Sequence, residues 1–252
     1  MSTNSALYDS DFYTQQGSAS DISARAMVPF LAEALKPRSM VDIGCGMGFW
    51  PRAFAQAGVP VCHGVDGAWT HTGTVLTPGK DLFEYDFGQA EMPFSPSLPQ
   101  ARYDLVTSFE FVEHIAPGRA DALVDLFCSL ADIVALGGAI PHQSGVHHVN
   151  EQWADYWSEK FAARGYACCD LLRPVFWDNP EVEPWYAQNT LVYFKGEVPA
   201  AISEQAGKAW AKLATRPARI VHPDLWDYAH PPLTVRRAAF NLARAVKRAA
   251  FG

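Results

Sequence analysis

The sequence predicts an α/β protein with a doubly wound, mostly parallel sheet, on three observations. Short apolar runs alternate with stretches of helical spacing between about residues 21 and 142. One apolar run passes directly into a glycine turn, Val41-Asp42-Ile43-Gly44-Cys45-Gly46-Met47-Gly48, followed by helix-compatible residues. The acids Asp42, Asp66, Asp86 and Glu110 all fall at or near strand ends, the edge at which open α/β sheets bind ligands.

The elements follow in order. Asp21 is placed as the N-cap of a helix over residues 22–35, with Ile22, Met27, Phe30, Leu31 and Leu35 at helical spacing and Pro37 as its stop. Residues 40–43 read as a buried strand, 50–57 as a short helix closed by Gly58, and 59–65 as a second strand ending at Asp66. A third strand is expected over 82–85, a Pro- and Ser-rich loop over 88–101, and a fourth strand over 103–109. Residues 118–135 read as an amphipathic helix stopped by Gly137-Gly138, with a fifth strand beginning at 139–142. A helix is expected over 150–164 with Asn150 as its N-cap. Strands over 166–172 and 189–194 form an antiparallel closing pair around a long loop at 173–188. Further helices are expected over 203–213 and 234–250. The organisation anticipated is an N-terminal helical segment (1–36), a central domain (37–195) and a C-terminal helical extension with a basic tail (196–252).

Composition narrows the class. The chain has 252 residues, 49% hydrophobic and 19% charged, which is globular and on the apolar side. No run of about 18 apolar residues is present, so no membrane-spanning helix is expected. The first residues lack a basic and apolar leader pattern, and the five cysteines form no CxxC pair, so reduced thiols in a cytoplasmic protein are expected. The net charge is −7, but residues 233–252 carry +5, leaving −12 on the first 232. An acidic body argues against nucleic acid as substrate. The tail, with Arg236, Arg237, Arg244, Lys247 and Arg248 among apolar residues, suits a packed terminal helix or peripheral contact with an anionic inner-membrane face.

In the glycine turn, residues without Cβ let a ligand approach the backbone, and the helix that follows presents free amides. Asp42 would repel a dinucleotide pyrophosphate there and suits a cationic ligand. Residues 41–48 resemble the first motif of class I S-adenosylmethionine-dependent methyltransferases. Tyr103-Asp104-Leu105-Val106-Thr107-Ser108-Phe109-Glu110 and Phe111-Val112-Glu113-His114-Ile115 are similar to the family's fourth-strand motif and its Glu-His ending. The resemblance covers about residues 20–195 and implies a Rossmann-like, seven-stranded sheet with one antiparallel strand. It implies S-adenosyl-L-methionine as cofactor, with Asp42, Gly44, Cys45, Gly46 and Trp50 at the turn. Asp66, beside Gly67, would bind the ribose hydroxyls, Asp86 would lie near the adenine amino group with Phe87 on the ring, and Phe109 and Glu110 would close the cofactor's surroundings. Asp104 is equally readable as a strand-start hydrogen-bond acceptor, and Glu110 and Glu113 as solvated acids at a helix start.

A second dense cluster is Pro141-His142-Gln143-Ser144-Gly145-Val146-His147-His148-Val149-Asn150-Glu151-Gln152-Trp153. Following the fifth strand, it falls at the carboxyl edge, where a transferable methyl group would point. Three readings are open. His148 or His142 is a general base for a hydroxyl proton, with His114 a further candidate. Alternatively His142, His147, His148 and Glu151 hold a divalent metal. In the third, these residues cap a helix and tie loops. Residues 151–195 hold eleven aromatics in 45 positions, about twice the chain's 13%, and Trp185 and Tyr186 are placed as a substrate wall. The cluster and this segment resemble a bacterial methyltransferase subgroup associated with sugar and polysaccharide biosynthesis. O-methylation of a hydroxyl on a sugar, glycan or similar small polar acceptor is therefore expected. N-methylation, natural-product methylation and a non-catalytic cofactor-binding partner are the alternatives.

Overall fold

The computed structural model describes residues 10–71, 73–213 and 226. Its elements run α1 (Ser10–Leu35), β1 (Ser39–Ile43), α2 (Phe49–Gln56), β2 (Val61–Asp66), β3 (Leu82–Glu84), β4 (Leu105–Phe109), α3 (Ala120–Leu130), β5 (Ile133–Gly137), α4 (Ala154–Ala162), β6 (Tyr166–Cys169), α5 (Arg173–Phe176), α6 (Pro184–Asn189), β7 (Leu191–Lys195) and α7 (Ala200–Leu213). Short 3-10 turns at Ala68–His71, Val112–His114 and Pro117–Arg119 lie between them. One seven-stranded sheet has the order β3-β2-β1-β4-β5-β7-β6. The first five strands in that order are parallel, and β7 runs antiparallel to both β5 and β6. The order reverses between β1 and β4, so a cleft opens at their carboxyl ends.

Both faces of the sheet are covered, which is why the central strands read as continuous apolar runs rather than alternating ones. Met40, Leu105, Ala135 and Val192 face a core shared with α1, α2 and α7. Their neighbours Val41, Val106, Val134 and Tyr193 face a core shared with α3 and α4. Phe161 of α4 stacks on Tyr193 at 4.1 Å between ring centroids, pinning that helix to the sheet. Because Met27 and Leu31 of α1 and Ile202 and Ala206 of α7 lie in the first core, the segments divided at residues 36 and 195 pack together. The described residues through Leu213 belong to one compact unit.

Several sequence expectations are corrected. The helix predicted over 118–135 ends at Leu130, and Ile133–Gly137 is the fifth strand. Helical spacing had carried through Val134, but Ala131 turns extended and the β-branched run after Asp132 pairs with β4. Residues 139–142 are not strand. The helix expected from Asn150 begins at Ala154. Asn150 is buried, and its backbone amide donates to the Glu113 carbonyl. Asp21 lies within α1 rather than capping it, paired with Arg25 and Arg52. The loop at 173–188 contains two short helices. All five cysteines are free. No helix among the described residues is long and apolar enough to cross a membrane. The basic tail and its expected helix lie outside the described residues.

Candidate active site

Gly44, Gly46 and Gly48 all take positive φ (76°, 51° and 83°), the region that glycine enters without steric cost. At Gly44 the missing Cβ matters directly, because one built there would sit 2.1 Å from the Phe111 ring. The turn leads into α2, and a cavity of about 500 Å³ opens beside it. Gly44, Gly46, Asp66, Asp86 and Phe87 line one end, and Glu110, His114 and His148 line the other. That volume falls in the range of small-molecule and cofactor sites.

At the first end, Asp66 closes β2 and accepts the Gly46 and Gly67 amides, each at 2.7 Å. Burial pushes its carboxyl up to about 6, against the lowering effect of those two amides. Asp86 accepts the amides of Gly88 (2.9 Å) and Gln89 (3.1 Å), which aims its carboxylate along the cavity wall. Phe87 packs edge-on to Tyr85 and Phe111. A smaller hollow of about 120 Å³ on the α1 side is lined by Cys45, Trp50 and Phe109, together with Gly44, Gly46 and Glu110. Trp50 packs on Phe109 at 4.3 Å.

Two residues expected at the cofactor line neither hollow. Asp42 is 1% exposed and accepts the Thr107 hydroxyl at 2.6 Å across the β1–β4 pair, where the two residues are in register. Burial raises its carboxyl to about 8, so at neutral pH it is mainly the uncharged acid beneath the turn. Gly67 instead supplies an amide to Asp66 and lets the Trp69 ring approach, since a Cβ there would fall 2.1 Å from it. Trp69, Thr70 and Tyr85 line the large cavity without having been singled out from the sequence, and Phe111 and Ile115, quoted there only as members of a motif, line it too. The one available signal was their position just past strand ends.

The second end is assembled from two chain segments. The turn after β4 carries Glu110, Glu113 and His114, and the loop after β5 carries residues 139–153. The Glu113 carbonyl accepts the amides of Val149 (2.9 Å) and Asn150 (3.0 Å), tying the two together. Glu151 clasps the loop: Oε2 accepts the His142 amide at 2.9 Å and Oε1 sits 2.9 Å from His148 Nδ1. With Nδ1–H donated to Glu151, His148 keeps its lone pair on Nε2. That nitrogen lies 3.9 Å from Glu113 Oε1. His114 packs edge-on to His148 at 5.0 Å. Burial pulls the His114 imidazole down to about 4, so it is neutral at physiological pH.

Glu113 is fully buried, which overturns its reading as a solvated acid. Neither of its carboxyl oxygens has a hydrogen-bond partner, although its own backbone and that of Ala139 lie near enough to favour its charge. Burial first, and then the neighbouring Glu110, hold its carboxyl well above the usual range. Glu110 is also raised by burial, but it is held in place by Gln143 Nε2 at 2.5 Å and Asn189 Nδ2 at 3.1 Å. Asp104 is a strand-start acceptor, taking the Arg38 and Ser39 amides.

The four-residue metal set read from the loop is not brought together. Among the described residues, the group of three or more metal-ligating side chains is Glu113, His114 and His148. His142 is exposed and does not line the cavity. Trp185 lines the cavity as expected, whereas Tyr186 is buried against Trp50 and lines only the smaller hollow. Four residues other than glycine take positive φ around this end: Glu110 (51°), His142 (67°), Ser144 (59°) and His147 (61°). Each such conformation costs on the order of 1–3 kcal/mol and persists only where the surroundings impose it.

With this geometry in hand, a methyltransferase domain family model matches residues 20–164. The chain belongs to this methyltransferase domain family. Its cofactor is S-adenosylmethionine, and the glycine cradle and Asp66 fit that ligand. A curated relative, the probable tocopherol O-methyltransferase of the chloroplast from Oryza sativa subsp. japonica, is 33% identical over 123 residues, 46% of this chain and 31% of that protein. The match thus spans about a third of that relative's length. Among solved structures, DesVI from Streptomyces venezuelae aligns with a TM-score of 0.55 at 14% identity, over 78% of this chain and 100% of that one. The sugar N-methyltransferase KedS8 from Streptoalloteichus aligns at 0.54 and 15%, over 74% and 92%. The magnesium protoporphyrin IX methyltransferase ChlM from Synechocystis, with bound SAH, aligns at 0.52 and 17%, over 76% and 92%. These likenesses establish the class I methyltransferase fold.

Proposed function

We propose that this protein transfers a methyl group from S-adenosylmethionine to a hydroxyl oxygen of a small polar acceptor such as a sugar or glycan unit. The observation that supports this best is the shared cavity, with Gly46 and Asp66 at one end and His114 and His148, backed by the buried Glu113, at the other. When bound, S-adenosylmethionine supplies a methyl group already activated on a sulfonium sulfur. The protein's tasks are then alignment and proton removal. Asp66 offers two oxygens to a vicinal diol such as the ribose hydroxyls, in exchange for its present amides. Trp185 offers a flat wall on which an acceptor ring stacks. The polar cluster is where a hydroxyl loses its proton. An amine, by contrast, needs only to shed its proton to bulk water before it binds, and once neutral it attacks without a base. That favours oxygen over nitrogen.

The test is incubation of the full chain with methyl-labelled S-adenosylmethionine and a panel of sugars, nucleotide sugars, phenols and amines, with S-adenosylhomocysteine and labelled product measured together. Label on a hydroxyl oxygen supports the reading, and label confined to amines overturns it.

A further inference from the structure

We propose that Glu113, His114 and His148 form a divalent-cation site at the acceptor end of the cavity, where an acceptor hydroxyl is activated by coordination. The inference rests on the methyl-transfer reading above and says how the proton is made removable.

Geometry is the first support. One donor atom from each of the three side chains lies within 4.8 Å of the others, and His148 Nε2 is 3.9 Å from Glu113 Oε1. Donor atoms at about 2.0–2.3 Å from a common ion stand roughly 3–4 Å apart at tetrahedral or octahedral angles, so the three side chains close on an ion by shifts of up to about an ångström. These residues come from two segments that are distant in sequence.

The unmet bonding capacity is the second support. By hydrogen-bond geometry both Glu113 oxygens and His114 Nδ1 are buried without a partner, with the Glu113 and Ala139 backbone and the Glu110 carboxyl as the near groups around the Glu113 carboxyl. Native proteins seldom leave such groups unsatisfied, and each calls for a reason. A cation at their centre supplies one, because it satisfies the carboxylate and the imidazole lone pairs at once. No water-exposed route serves Glu113, which is 0% exposed.

The third support is the carboxylate behind the histidine. Glu151 Oε1 holds His148 Nδ1 at 2.9 Å and so directs Nε2 toward Glu113. A metal-binding histidine typically has such a carboxylate on its other nitrogen. In this arrangement His148 is a ligand rather than the base, and Glu151 is a positioning residue.

The chemistry of the donors sets the ion and the acceptor. Two imidazoles and one carboxylate suit Mn²⁺, Fe²⁺ or Zn²⁺ better than Ca²⁺, which takes oxygen ligands. His114 and His148 line the cavity, so the remaining coordination positions face it. An acceptor with oxygens on adjacent carbons fills two of them. The coordinated hydroxyl gives its proton to water in the cavity. Its oxygen pair then forms the new C–O bond as the C–S bond breaks, and that bond's pair goes to sulfur, which becomes a neutral thioether.

The test uses the untagged full chain, stripped with EDTA and titrated with Mn²⁺ or Zn²⁺ alone, read by calorimetry and, for Mn²⁺, by electron paramagnetic resonance. We expect about one ion per chain, with affinity lowered at least about 100-fold in Glu113→Gln and in His148→Ala while S-adenosylhomocysteine binding stays within about twofold. The retained cofactor binding shows that the variants are folded. No saturable binding to the wild type, or equal binding in both variants, overturns the site. Hydroxyl methylation at full rate in EDTA overturns the activating role but leaves the proposed function standing. Metal binding without any hydroxyl methylation leaves the site standing and overturns both its activating role and the proposed function.

Discussion

At the donor end of the cavity, each strand-end carboxylate already has backbone partners: Asp66 accepts Gly46 and Gly67, and Asp86 accepts Gly88 and Gln89. Positive φ at that end is carried by glycines. At the acceptor end, Glu113 has no partner on either oxygen, His114 Nδ1 has none, and positive φ falls on Glu110, His142, Ser144 and His147. One region is built from residues whose preferences agree with their conformation. The other is held against preference, by the Glu151 clasp and by the two amides on the Glu113 carbonyl. The contrast teaches that the binding half is self-consistent, while strain and unmet polar groups are concentrated where the chemistry is proposed.

If that division holds, the two ends break differently. His148→Ala should lower turnover by roughly 100- to 10,000-fold while cofactor affinity changes by less than about twofold. Single-turnover kinetics beside calorimetry would check this, and a parallel loss of cofactor binding would dissolve the division. Gly44→Val should do the opposite. It forces a Cβ onto the Phe111 ring in a conformation side chains rarely adopt, and should weaken S-adenosylhomocysteine binding about 100-fold. Normal affinity in that variant would show that the cradle is not where the cofactor lies.

Smaller effects sharpen the picture. Glu151→Ala frees His148 Nδ1 and the His142 amide and should lower turnover about 10-fold, with the cofactor still bound. An unchanged pH–rate profile at unchanged rate would remove Glu151 from the positioning role. Asp42→Asn addresses stability rather than chemistry. The Asp42 carboxyl is raised from 3.8 to about 8 in the folded state, so between those values the folded chain binds the proton that the unfolded chain releases. Wild-type stability should therefore fall as pH rises through that window, at up to about 1.4 kcal/mol per pH unit from this group. The Asn variant lacks that slope while still accepting the Thr107 hydroxyl. Parallel melting curves from pH 5 to 8 would show otherwise.

Much of the donor end was legible from local pattern. A buried strand running into Gly44, Gly46 and Gly48, with Asp66 and Asp86 at the next strand ends, is a short-range signal, and all of these but Gly48 line the cavity. Asp42 was misplaced because sequence shows an acid beside the turn but not that Thr107, 65 residues away, would be its partner inside the sheet. The boundary between α3 and β5 was missed because an apolar run after a helix continues helical spacing by coincidence. Only pairing with β4 on one side and β7 on the other makes residues 133–137 extended.

The sequence by itself determined the alternation of elements, the glycine cradle and the family, because each depends on neighbours along the chain. Tertiary structure alone decided which polar residues meet. Glu113 and His114 reach His148 because β5 lies beside β4 and the loop after it is bonded back to the Glu113 carbonyl. It also decided that Glu113 is buried and His142 exposed. Burial and partnership are properties of the packed sheet edge, and no spacing within a single segment encodes them.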